Sequence, residues 1–128
     1  MLAQVSVEFI SAIAFLLVLL FFVVYQNYQT SVQLEEMKLY KEAYETVNKI
    51  ALEINLALKS GDGYSRKFYV TDKLYGVSNF SVEVKDYTVR LVWSKGSVSS
   101  GIMTRNITGI IKPGENTIKN VKGDVFVE

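Results

Sequence analysis

The sequence has no cysteine and no histidine. No disulfide framework is therefore available, and the common zinc-ligand sets cannot be assembled. Any general base would have to be Asp, Glu or Lys. The carboxylates are dispersed among positions that read as exposed, with no cluster that would displace a pKa. No paired carboxylates, phosphate-cradling glycine loop or nucleophile–base set stands out, so the expectation is no catalytic residue, no cofactor and no metal site. Proline occurs once, as Pro113, and the first of the eight glycines is Gly61. Nothing in residues 4–60 therefore opposes a helix. Residues 1–30 contain no Lys or Arg and a single acid, Glu8. Residues 61–128 carry ten bases against seven acids, or +3, scattered and without aromatic interleaving. That pattern matches no nucleic-acid motif, and no nucleic-acid partner is expected.

What the front of the chain does have is grease. In the 17 residues from Phe9 to Tyr25 only Ser11 is polar. At the rise of an α-helix this run covers about 25 Å, and residues 7–28 together approach the thickness of a bilayer core. Tyr25 and Tyr28 stand where interfacial aromatics are expected. The rest of the chain is too small to wrap such a helix in a soluble core. A conventional secretory signal does not fit either. Nothing basic precedes the run, and the YQNYQT that follows lacks small residues at cleavage spacing. The span is expected to stay with the mature protein.

Glu8 is the odd residue of this segment. An anion near a helix N-terminus is favoured by the helix dipole, which is one use for it. The surrounding residues suggest another. MLAQVSVEFISAIAFLLVLL resembles the processing and assembly segment of the type IV pilin superfamily, in particular archaeal pilins with a class III, prepilin-type signal sequence. In that family a dedicated membrane peptidase cuts just before the apolar helix. The match implies a cut between Ala3 and Gln4, which makes Gln4 the first mature residue and Glu8 the fifth, followed by Phe9. Basic residues usually precede the family's cleavage site, whereas Met1 and Leu2 stand there here.

The resemblance implies a homo-oligomeric helical filament in which Glu8 neutralises the free amine of a neighbouring subunit. A buried ammonium and carboxylate tolerate a low dielectric only together. It also implies three partners before assembly: membrane lipid, the prepilin-type peptidase and pilus assembly machinery in the membrane. The chain would be a single-pass membrane protein with its head outside, and afterwards a subunit of a cell-surface filament. A single-span anchored surface protein, whose small β domain binds something and never polymerises, is the alternative.

Behind the span, Met37, Tyr40, Tyr44, Val47, Ala51, Ile54 and Leu58 recur at helical spacing and define one stripe. Four i,i+4 charge pairs line the other faces: Lys38 with Glu42, Lys41 with Glu45, Glu45 with Lys49, and Lys49 with Glu53. A coiled-coil seam is one use of such a stripe, but Ala51 and two tyrosines make a poor zipper. A sheet laid over residues 44–58 fits better. KSGDG, residues 59–63, supplies the stop.

After Gly63 the period changes from 3.6 to 2. NFSVEV and YTVRLVW read as a hairpin turning at Lys85 and Asp86. Residues 68–70 suggest an earlier strand, 94–101 a loop, 102–111 a weak strand region and 112–115 a turn. Residues 117–121 and 125–127 form a last hairpin around 122–124. The expected fold is α+β and type IV pilin-like. Residues 1–3 are the leader, 4–60 a long helix of which about 7–28 spans the membrane or filament core, and 61–128 an antiparallel head of four to six strands in one sheet. Two N-x-S/T triplets, at Asn79 and Asn106, mark candidate glycosylation sites.

Overall fold

The computed structural model describes residues 1–105 and 107–128, without the side chains of residues 2 and 3. One helix, α1, runs Leu2–Ser60. Among the described residues it is followed by seven strands: β1 Ser65–Val70, β2 Phe80–Lys85, β3 Thr88–Trp93, β4 Gly96–Gly101, β5 Thr108–Gly109, β6 Gly114–Val121 and β7 Asp124–Val127. The chain divides into two compact units, Met1–Met37 and Lys38–Glu128. The long helix and the small, largely antiparallel head agree with the expected α+β architecture.

The head holds two sheets rather than one. β1-β6-β7-β5 form a four-stranded sheet, and β2-β3-β4 a three-stranded one. All pairings are antiparallel except β5 with β7, which is parallel. The segment expected as a loop, 94–101, contributes β4. Serine and glycine weaken its strand propensity, but β3 supplies a full ladder and Val98 meets Leu91 on the inner face. Among its described residues Ile102–Ile111, expected as a weak strand region, yields the two residues of β5. The expected turn at 112–115 is shorter, because Gly114 and Glu115 already belong to β6.

Alternation decides which face is buried. Val89, Leu91 and Trp93 of β3 point inward, with Phe80, Val82 and Val84 of β2 beside them. In the other sheet Phe68, Val70, Ile118, Val125 and Val127 are buried. From the helix come Ala43, Val47, Ile50, Ala51, Ile54 and Ala57. All belong to one hydrophobic cluster. The expected stripe is thus rotated. Val47, Ala51 and Ile54 are buried as anticipated, but Tyr44 is exposed and Ile50 and Ala57 take the central places. Small Ala43 and Ala57 allow close approach where a tyrosine would hold the sheet away.

Tyr40 keeps a partial role. Its ring meets Trp93 edge-on at 5.1 Å, and its hydroxyl lies so near Gly96 that a Cβ there would come within 2.6 Å. Gly109 is needed for a harder reason: its φ is +114°, and a Cβ would sit 1.9 Å from the Val127 carbonyl oxygen.

The helix stops where expected, with Gly61 at φ 80° behind Ser60. What closes it was not apparent from local pattern. The buried Asn120 of β6 donates from Nδ2 to the Ala57 carbonyl at 3.0 Å, and its Oδ1 accepts the Gly123 N–H at 3.0 Å. Nearby, the Gly63 N–H donates to the Asn120 carbonyl, and the Lys122 N–H donates to Asp62 Oδ1. The second buried asparagine, Asn116, binds both the N–H and the carbonyl of Lys112 and so holds the turn before β6.

The turns also differ slightly from expectation. The β2–β3 turn sits at Asp86 and Tyr87, both with positive φ, one residue beyond the anticipated place. This is the turn geometry that suits strand twist, adopted here without glycine. Of the four helix charge pairs, Lys41 and Glu45 approach to 3.9 Å on the surface. Glu42 instead accepts the Tyr75 N–H at 2.7 Å, and Glu53 faces Arg66 of β1 at 3.6 Å. Sequence spacing alone did not reveal these tertiary partners.

On the outer face of β1 the Tyr69 hydroxyl donates to Asp72, which holds the tyrosine above its ordinary pKa, with burial a smaller cause. The Lys67 ammonium is likewise raised by its hydrogen bond and ion pair with Glu115.

Two tests follow from these contacts. Asn120→Ala leaves the Ala57 carbonyl and the Gly123 N–H without their buried partner, and should destabilise the head by about 1–3 kcal/mol in urea unfolding of the detergent-solubilised chain. Asp72→Asn should lower the Tyr69 pKa toward the ordinary value of a tyrosine, read by NMR titration. The wild-type contribution of this bond is present below the unfolded-state pKa and disappears as pH rises through the higher folded-state value.

Candidate functional site

The unit Met1–Met37 is a stretch of α1 whose described side chains all face solvent. Over its most apolar 18-residue window the mean hydropathy is 2.9, and none of that window is buried within the chain. By length and composition the helix is able to cross a membrane. Phe9, Leu16, Phe21 and Phe22 are each 60% exposed or more. Leu16, Phe21 and Phe22 fall on different sides of the helix, so no single stripe carries the apolar surface. A helix that is hydrophobic all round requires an apolar surrounding on every side.

Its few polar groups are arranged for such a surrounding. Ser11 Oγ donates to the Glu8 carbonyl at 2.8 Å. Asn27 Nδ2 donates to the Val23 carbonyl, Thr30 Oγ1 to Gln26 and Ser31 Oγ to Asn27, at 2.9–3.0 Å. Gln29 Nε2 reaches the Tyr25 hydroxyl at 3.1 Å. Each of these groups finds an acceptor within its own helix. The signal was present in the sequence, since each acceptor lies three or four residues before its donor on a helix.

Glu8 has no such internal answer for its charge. Its side chain is exposed on the helix surface, four residues beyond exposed Gln4 and one before Phe9. Gln4 and Glu8 are one helical turn apart on the same side. The Ala3 side chain lies outside the described residues. Among the described residues no ion pair involves Glu8.

The other candidate residues belong to the head. Asn79 is exposed and stands immediately before β2. Asn106 lies outside the described residues. No group of three or more acidic side chains among the described residues is placed to hold a metal ion. A shallow hollow of 210 Å³ on the outer side of the β2–β3 hairpin is lined by Glu83, Lys85, Asp86, Thr88 and Arg90. Its mixed charges form a solvated surface rather than an enclosed site.

Comparison with protein-family models, with curated proteins and with solved structures gives no match. The site is accordingly defined by its own geometry: an uncovered apolar helix bearing one carboxylate near its start.

A charge placed in the middle of this run should block its transfer into lipid. Leu17→Asp is expected to cost about 3–4 kcal/mol of insertion free energy, measured as the fraction inserted in a microsomal translocation assay. Glu8→Gln, at the end of the run, should leave that fraction unchanged.

Proposed function

We propose that this chain is the structural subunit of an archaeal type IV pilus-like extracellular filament. The observation that supports the reading most is the wholly uncovered apolar helix with a lone acid, Glu8, four residues after Gln4. In lipid the helix is covered on all sides. In a filament it is covered by copies of itself, so its apolar surface stays out of water after extraction, and helix–helix packing favours the exchange.

In this reading the chain enters the membrane with its head on the outer side. A prepilin-type peptidase cuts between Ala3 and Gln4 and frees an ammonium on Gln4. Assembly machinery extracts the subunit, and Glu8 meets the Gln4 ammonium of a neighbour. Neither charge tolerates an apolar bundle alone, so the pair selects the axial register of one subunit against the next. It acts on register more than on net stability. The self-bonded Ser11 side chain moves from lipid to bundle without losing its hydrogen bond. In this reading the head serves as the outer coat of the filament.

Two measurements separate this from an anchored protein that never polymerises. Mass spectrometry of the native protein should find Gln4 as the first residue, whereas a chain that retains Met1 favours the anchor. Glu8→Ala should insert into the membrane normally and abolish filaments in electron micrographs. Normal filaments from that variant would remove the role assigned to Glu8.

A further inference from the structure

Asn79 begins a triplet, Asn79-Phe80-Ser81, whose middle residue is apolar. A sequon next to a core residue is an unpromising acceptor if the core residue draws the asparagine inward. The strand geometry resolves this. Phe80 is the first residue of β2, and alternation turns it toward the core cluster, where it packs. Ser81 therefore faces outward and is exposed, and Asn79, two residues before it, is exposed as well. The amide and the hydroxyl that define the sequon thus share the outer side, while Phe80 anchors the segment between them.

Two further features suit modification. β2 is an edge strand, paired with β3 on one side only, so its other side is open to an enzyme. Beside it lies an open hollow of 370 Å³ lined by Asn79, Phe80, Ser81, Val92, Trp93 and Ser94. Val92, opposite Ser81 in the ladder, gives this hollow an apolar floor, and Ser81 and Ser94 give it hydroxyl edges. A sugar ring has the same division, with apolar C–H faces and hydroxyl edges.

We infer that Asn79 is the attachment site of an N-linked glycan, whose first sugar lies in this hollow. The inference rests on the proposed placement of the head outside the membrane. The donor is an oligosaccharide linked through phosphate to a polyisoprenoid lipid. Asn79 Nδ2 attacks the anomeric carbon of the first sugar and forms the C–N bond. The bond from that carbon to the phosphate oxygen breaks, and the lipid phosphate leaves with the electron pair. The amide proton passes to a carboxylate of the transferase. No oxidation or reduction is involved.

The test is mass spectrometry of the tryptic peptide 74–85 from protein isolated from its native cells, both from membranes and from surface filaments. The peptide is expected to carry the added mass of one or more sugars. Asn79→Gln and Ser81→Ala should each abolish that mass, and Ser81→Thr should retain it. All three changes lie at exposed positions, so the head should keep its fold. A bare peptide in filament-borne protein would overturn the inference while leaving the filament reading intact. Sugar that persists on Asn79→Gln would also overturn it. A modified peptide on a chain found only as membrane monomers would sustain the inference and remove the filament reading.

Discussion

The burial of one helical stripe is the interaction on which the head depends. Each sheet has a single apolar face, and a three- or four-stranded sheet must cover that face to be stable. Val47, Ile50 and Ile54 are 1% exposed or less, and they join one cluster with Leu91 of the three-stranded sheet and Ile118 of the four-stranded sheet. Without the helix neither sheet would retain a closed core. The alanines at 43, 51 and 57 matter as much as the larger residues, because they set how near the backbone approaches.

The same helix serves two solvents by two different side-chain patterns. In 38–60 it is striped, with charges outward and apolar residues toward the sheets. In 9–25 it is apolar all round, and Ser11, like Asn27, Thr30 and Ser31 just beyond the run, bonds back to its own backbone. No glycine or proline interrupts either part. An α-helix satisfies its backbone internally, so one element is able to serve both an apolar surrounding and a packed protein core.

Much of this was legible in the sequence, because the strongest signals are local. The span follows from composition, the helix stop from Gly61, and the β2–β3 and β6–β7 hairpins from alternation. The rotation of the buried stripe was not legible. Tyr44 and Ala43 are adjacent, and hydrophobicity favours the tyrosine, but two sheets closing on one helix favour the smaller residue. β4 was missed because serine and glycine carry little strand preference of their own, and its order comes from β3. Asn116 and Asn120 read as ordinary polar residues until β6 places them inside. Of the candidate site, Glu8 and the apolar run were plain from sequence. The outward pairing of Asn79 with Ser81 required the strand to be placed.

The junction behind Gly61 bears on mechanics. A tensile load carried along α1 does not leave the helix through the peptide chain alone. It divides among the Asn120 amide on the Ala57 carbonyl, the Gly63 N–H on Asn120 and the Asp62 carboxylate on Lys122. All three deliver it to the β6–β7 hairpin, whose ladder must shear several bonds at once. The four-residue connector 61–64 is thereby tied to the hairpin at more than one point.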